Sequence, residues 1–98
     1  MEYKILQLKK TDEANKYLFL PYRRNKDLKQ DLYDVVYTGT MDSTGDTFAD
    51  LERIYIMFNL NHPADFKGHS LSVSDVVAIG GKHYYCDSIG FVELNNIF

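Results

Sequence analysis

The sequence predicts an α+β fold, a mixed sheet packed by two helices and ending in a C-terminal β-meander. Three observations point there. Breaker-free runs rich in aromatic and β-branched residues recur at 3–8, 32–38, 76–79, 82–87 and 91–94, as strands require. The first three runs are separated by segments at 11–19 and 46–59 whose apolar residues recur at helical spacing. Gly80-Gly81 parts two of the runs by two residues, the mark of a tight hairpin. The order is therefore β-α-β-α-β-β-β, with both helices early and the meander late, which favours α+β. At 98 residues the chain is expected to be one small domain spanning 1–98.

The first strand, YKILQL, carries Tyr3 and Ile5 on one face and Leu6 and Leu8 on the other. A strand apolar on both sides belongs in the interior of a sheet. Thr11 or Asp12 then caps a short helix running through Asn15 to Phe19, with Ala14, Tyr17 and Leu18 on one stripe and Pro21 as its stop. Tyr22 to Lys29 is polar and aperiodic, a surface loop with at most a turn of helix. In LYDVVYT, alternation places Tyr33, Val35 and Tyr37 together and Asp34, Val36 and Thr38 opposite. Gly39 to Gly45 is a turn-rich loop. The clearest helix is capped by Asp46 or Thr47, with Thr47-x-x-Asp50 as a weak capping box. Its buried face is Phe48, Leu51, Ile54, Tyr55 and Phe58, and Asn59 and Asn61 end it in the left-handed conformation. Three strands follow: Val76–Ile79, Lys82–Asp87 after the Gly-Gly turn, and Phe91–Leu94 after a Ser88–Gly90 corner.

Hydrophobic residues at 45% and charged residues at 26% describe an ordinary globular chain rather than a disordered one. A single cysteine forms no internal disulfide, so nothing calls for an oxidising compartment. The N-terminal MEYKILQLKK lacks a signal-peptide core, and no apolar run is long enough to span a bilayer. A soluble cytoplasmic protein with no membrane partner is the expectation. The net charge of −3 is unevenly distributed: residues 1–30 hold eight Lys/Arg against four Asp/Glu, and residues 31–98 hold three against ten. Two halves of one domain presenting different solvated faces are the first account of this, and a partner-facing basic patch is the alternative.

The chemistry-bearing residues concentrate in GHSLSVSDVVAIGGKHYYCDSIGF, from Gly68 to Phe91. Gly68-His69-Ser70-Leu71-Ser72 invites comparison with a nucleophile elbow, yet it lacks the second glycine and no strand feeds it. His62, His69, His83 and Cys86 sit at no recognised metal-ligand spacing, and strand alternation sends His83 and Cys86 to opposite faces. Cys86 reads as a small buried residue. Asp75, after Ser72-Val73-Ser74, reads as a carboxylate that gathers nearby backbone amides and hydroxyls, with Asp87-Ser88 doing the same at the next corner. Tyr22-Arg23-Arg24 with Lys26 and Lys29 combines a ring with cations, as single-strand nucleic-acid binders do. Against that stand the acidic total and the absence of a glycine-aromatic stretch. There is no glycine-rich phosphate loop, because Gly80-Gly81 is not followed by Lys-Ser/Thr.

The run LERIYIMFNLNHPADFKGHSLSVSDVVAIGGKHYYCDSIGFVEL, from Leu51 to Leu94, resembles the YodL-like domain family, and YKILQLK and YDVVYTG fit the same pattern. The resemblance implies a domain of Gram-positive bacteria and their mobile elements, sometimes one module of a longer protein, with no general activity or cofactor. It rests on Asp65, Gly68, His69, Ser70, Ser72, Ser74, Asp75, Cys86, Asp87, Gly90 and Phe91. Of these, Gly68, Ser74, Cys86, Asp87, Gly90 and Phe91 are expected to be structural. Candidate contact residues are Arg23, Arg24 and Lys26 in the basic segment, and His69, Ser70, Ser72 and Asp75 in the polar ridge. The expected function is a non-enzymatic module that binds another bacterial protein, with no cofactor and no metal. The alternative is a nucleic-acid-associated accessory protein of a mobile element.

Overall fold

In the computed structural model, which describes residues 1–24 and 28–94, five strands form one sheet. They are β1 (Glu2–Leu8), β2 (Tyr33–Thr40), β3 (Val76–Ile79), β4 (Lys82–Cys86) and β5 (Phe91–Leu94), in the spatial order β2-β1-β3-β4-β5. The helices are α1 (Asp12–Asn15) and α2 (Thr47–Leu60), so the sequential order is the expected one. The sheet is not mixed: every pairing is antiparallel. β2 and β3 do run in the same direction, but β1 lies between them and runs against both. The crossover through α2 therefore skips one strand, and no parallel ladder forms.

β1 is the interior strand that its two-sided apolar pattern requires. On one side Tyr3 and Ile5 join Leu51, Ile54 and Phe58 of α2 with Phe66, Leu71, Val77, Ile79 and Tyr84. On the other, Leu6 and Leu8 pack with Ala14, Leu28, Tyr33, Val76 and Tyr85. Edge-on ring contacts give the first cluster its centre: Phe58 meets Phe66 at 4.8 Å, Tyr37 at 5.5 Å and Tyr3 at 6.0 Å between centroids. Such pairs contribute about 0.5–1.5 kcal/mol each beyond the area they bury.

Strict alternation fails in β2. Ile5 pairs with Tyr37 while Leu6 pairs with Val35, so Val36 is an extra residue, a β-bulge. The bulge sends Tyr33 into the second cluster and Tyr37 against the first, and leaves Val35 54% exposed. β2 also runs to Thr40, into the expected loop. Gly39 gives the rings room there, since a Cβ on it would stand 2.7 Å from the Tyr3 hydroxyl and 2.8 Å from the Tyr37 ring.

α1 is shorter than its apolar spacing suggests. Thr11 Oγ1 accepts the Ala14 amide as N-cap, but the helix stops at Asn15 and Phe19 adopts a left-handed φ of 64°. Tyr17 and Leu18 still reach the second cluster, because turns rather than helix carry them. The following segment is not wholly superficial: Tyr22–Arg24 forms a 3-10 turn, and Leu28 is buried.

In α2, Asp46 is the cap and accepts the Phe48 and Ala49 amides. Asp50 does not close a box with Thr47. It turns back to accept Ser43 Oγ at 2.7 Å and the Thr44 amide at 2.8 Å, and the Ser43 bond first of all holds its carboxyl below the usual range. Leu51, Ile54 and Phe58 are fully buried, whereas Phe48 and Tyr55 lie on the rim, edge-on to Tyr84 and Phe91. Asn59 remains helical, and Asn61 ends α2 at φ −158°, an extended rather than left-handed value. At the hairpin, Gly80 and Gly81 take φ of 60° and 76°, the left-handed pair that a two-residue turn needs.

Phe58→Ala is expected to cost about 3–5 kcal/mol in urea unfolding, through loss of ring packing and the cavity left behind. Ile56→Ala on the same helix, at a side chain 53% exposed, is expected to stay within about 0.5 kcal/mol.

Candidate functional site

The polar residues of the Gly68–Phe91 stretch are organised around Asp75, which has no exposed surface. Residues 72–75 form a turn closed by the Asp75 amide on the Ser72 carbonyl at 3.0 Å. The side chain folds back into that turn: Oδ2 accepts the Ser72 amide at 2.8 Å and Gln7 Nε2 at 3.2 Å. Gln7 comes from near the C-terminal end of β1, so one carboxylate ties the central strand to the 68–75 segment. The second N–H of Gln7 goes to the His69 carbonyl at 2.8 Å.

With both Gln7 hydrogens used, His69 Nδ1 carries its own proton and donates to the Ser70 carbonyl at 2.8 Å, a tautomer assigned from this network. His69 Nε2 then faces Asp75 Oδ1 across 3.8 Å, and that oxygen has no hydrogen-bond partner among the described residues. Burial pushes the Asp75 carboxyl up to about 7, against the pull of the Ser72 amide, His69 and Gln7. Neither ring nitrogen of His69 meets a serine hydroxyl, so Ser70, His69 and Asp75 do not assemble a relay. Gly68 closes the arrangement. A Cβ there would collide with Gln7 Oε1 and stand 2.8 Å from the Phe66 ring.

A second corner begins at the preceding residue. Ser74, buried and left-handed at φ 87°, accepts the Phe19 amide on Oγ and the Tyr33 hydroxyl on its carbonyl. Its own amide reaches the Cys86 carbonyl, and the Cys86 amide reaches the Asp75 carbonyl, extending the β3–β4 ladder. Asp87 Oδ1 accepts the Tyr22 amide at 3.0 Å and the Ser88 amide at 2.8 Å, while its backbone amide meets the carbonyl of Gly90, at φ 73°. Tyr85 stacks obliquely on Tyr22 and donates to the Leu20 carbonyl. The segment bearing Arg23 and Arg24 is thereby fastened to the Asp87–Gly90 turn. Around it Phe19 is 60% and Ile89 94% exposed, and both arginines are exposed.

The sequence-derived candidates sort accordingly. His69 and Ser70 are exposed, Ser72 is half-buried, and Asp75 cannot touch a partner directly. Lys26 lies outside the described residues. Cys86 is buried, and burial pushes its thiol up to about 12, which keeps it protonated and unreactive. Phe91 is half-buried against the first cluster. No group of three metal-ligating side chains occurs among the described residues. Gln7 and Tyr33 escaped the sequence reading, although a glutamine inside the apolar run of an interior strand is itself the signal of a buried polar partner.

This ordering of one motif around two corners agrees with a match of the YodL-like domain family model to residues 2–97. The chain belongs to the YodL-like domain family. No curated protein and no solved structure matches it. In this YodL-like domain the motif GHSLSVSD is the piece of chain that Gln7 and Asp75 lock to the sheet. Among the described residues no helix is long and apolar enough to cross a membrane.

Because the Asp75 carboxyl titrates above its unfolded value, the folded state holds a proton that the unfolded chain releases. Its contribution to stability is full at low pH and is lost as pH rises from about 4 to about 7. Urea unfolding across that window is expected to show a decline of up to about 1.4 kcal/mol per pH unit. Asp75→Asn keeps an oxygen for Gln7 and Ser72 and should flatten the decline. Gly68→Ala should lower the thermal midpoint at every pH, since its clash is steric.

Proposed function

We propose that this YodL-like domain is a non-catalytic module that binds another protein through the corner where residues 19–24 meet the Asp87–Gly90 turn. One observation carries the reading. Two arginines and two large apolar side chains, Phe19 and Ile89, stand exposed on backbone that the Ser74, Asp87 and Tyr85 side chains hold in place. Arginine and large apolar groups on a preorganised frame suit an interface, because little ordering entropy remains to be lost on binding. The charges fit a partner with an acidic rim around an apolar contact. A protein of a Gram-positive bacterium or its mobile element, met in the cytoplasm, is the partner proposed.

Nucleic acid is the weaker reading. Arg23, Arg24 and Lys29 supply cations, but the Tyr22 ring that would stack on a base is half-buried against Tyr85. An affinity capture from native extract, with and without nuclease, separates the two. Recovery of the same protein under both conditions, followed by direct binding to the purified domain, supports the protein interface. Capture that vanishes with nuclease, with steep salt dependence on DNA or RNA, overturns it. Arg23→Glu and Ile89→Asp are each expected to weaken the purified complex tenfold or more, about 1.4 kcal/mol, with an unchanged melting midpoint.

A further inference from the structure

Away from that corner, the ends of β1 and β2 and the Lys67–His69 segment enclose an open groove of about 410 Å³. This lies within the range of small-ligand sites. Leu8 and Val36 are its apolar wall, and Lys10, Lys67 and His69 bring positive or protonatable groups to it, against one carboxylate, Asp34. Neither lysine is in an ion pair among the described residues. A second depression of about 300 Å³ adjoins it, sharing Leu8, Lys10 and His69 and adding Lys9 and the carboxylate of Asp12.

His69 is the built part of the site. Gln7 fixes its carbonyl, the Ser70 carbonyl takes its Nδ1 proton, and its ring remains 45% exposed beside the groove. Behind it stands Asp75 Oδ1, fully buried, 3.8 Å from Nε2 and without a hydrogen-bond partner among the described residues. A buried carboxyl oxygen without a donor costs free energy, and His69 Nε2 is the polar atom that faces it.

We propose that this groove binds a phosphate group, with Lys10 and Lys67 as its counter-charges and the His69 ring, fixed by the bond from Gln7 to its carbonyl, as part of its wall. Phosphate is favoured over carboxylate by the donor type. Ammonium groups act as point charges that suit tetrahedral oxygens, whereas planar carboxylate recognition uses arginine forks, and no arginine lines the groove. The phosphate can be carried by a small ester or by a phosphorylated side chain, and these share the same chemistry at the site.

The test follows backbone amide resonances during titration at constant ionic strength with inorganic phosphate, ribose 5-phosphate and a phosphoserine peptide. Saturable shifts confined to Lys10 and Lys67–His69 are expected. Saturation by the two small anions assigns a free phosphate ester, and saturation by the peptide alone assigns a phosphorylated side chain. Lys10→Glu with Lys67→Glu should weaken binding at least tenfold, Asp34→Asn should tighten it about two- to threefold, and Arg23→Glu should leave it unchanged. Linear shifts spread over the surface, equal binding of the unphosphorylated peptide, or a charge-reversed variant that binds as well as the parent overturns the proposal.

Discussion

The carboxylate of Asp75 is the constraint on which the functional end of this YodL-like domain depends. It sits in the interior with one oxygen satisfied by Gln7 and Ser72 and the other without a hydrogen-bond partner among the described residues. A polar group so placed is tolerated only where surrounding donors offset the loss of water. The donors come from the central strand and from the turn that carries Asp75 itself, so satisfying the carboxyl also fixes where residues 68–75 run. Had Gln7 been apolar, the His69 carbonyl and Asp75 Oδ2 would each lose a donor, and nothing else described would replace it.

From that anchor two surfaces diverge through consecutive residues. Asp75 faces the Gln7–His69 side and the cationic groove, while Ser74, turned left-handed, faces the corner that fastens Phe19 and the arginine-bearing segment. A left-handed serine is uncommon, and here its hydroxyl and carbonyl are both engaged. The Cys86 thiol is held protonated by burial, and His69 Nδ1 is engaged by the Ser70 carbonyl.

The aromatic side chains divide the remaining labour. Tyr3, Tyr37, Phe58 and Phe66 fill the core under α2, and Tyr22, Tyr33 and Tyr85 fill the opposite side. On that second side two phenol hydroxyls hold backbone carbonyls, Tyr33 that of Ser74 and Tyr85 that of Leu20. Their value is in placement: amphipathic rings bury an apolar body while the hydroxyl fixes an irregular segment.

Element identity was legible in the sequence because it is local. The two-faced pattern of β1, the Leu51-Ile54-Phe58 stripe of α2 and the Gly80-Gly81 hairpin each follow from residue spacing and backbone stereochemistry within a few positions. The residues of the candidate site were legible as a cluster, Gly68 to Phe91, but not its inner order. That order depends on Gln7, which lies 62 residues from His69 and 68 from Asp75 along the chain. Tertiary structure alone decided that the sheet is antiparallel throughout, because the position of β1 between β2 and β3 is set by packing on both of its faces. It likewise decided the bulge at Val36, where two aromatic clusters on opposite sides of the sheet each claim a tyrosine of one strand. And it turned Asp75 from a candidate contact into a buried anchor, since burial belongs to the assembled fold and not to any stretch of sequence.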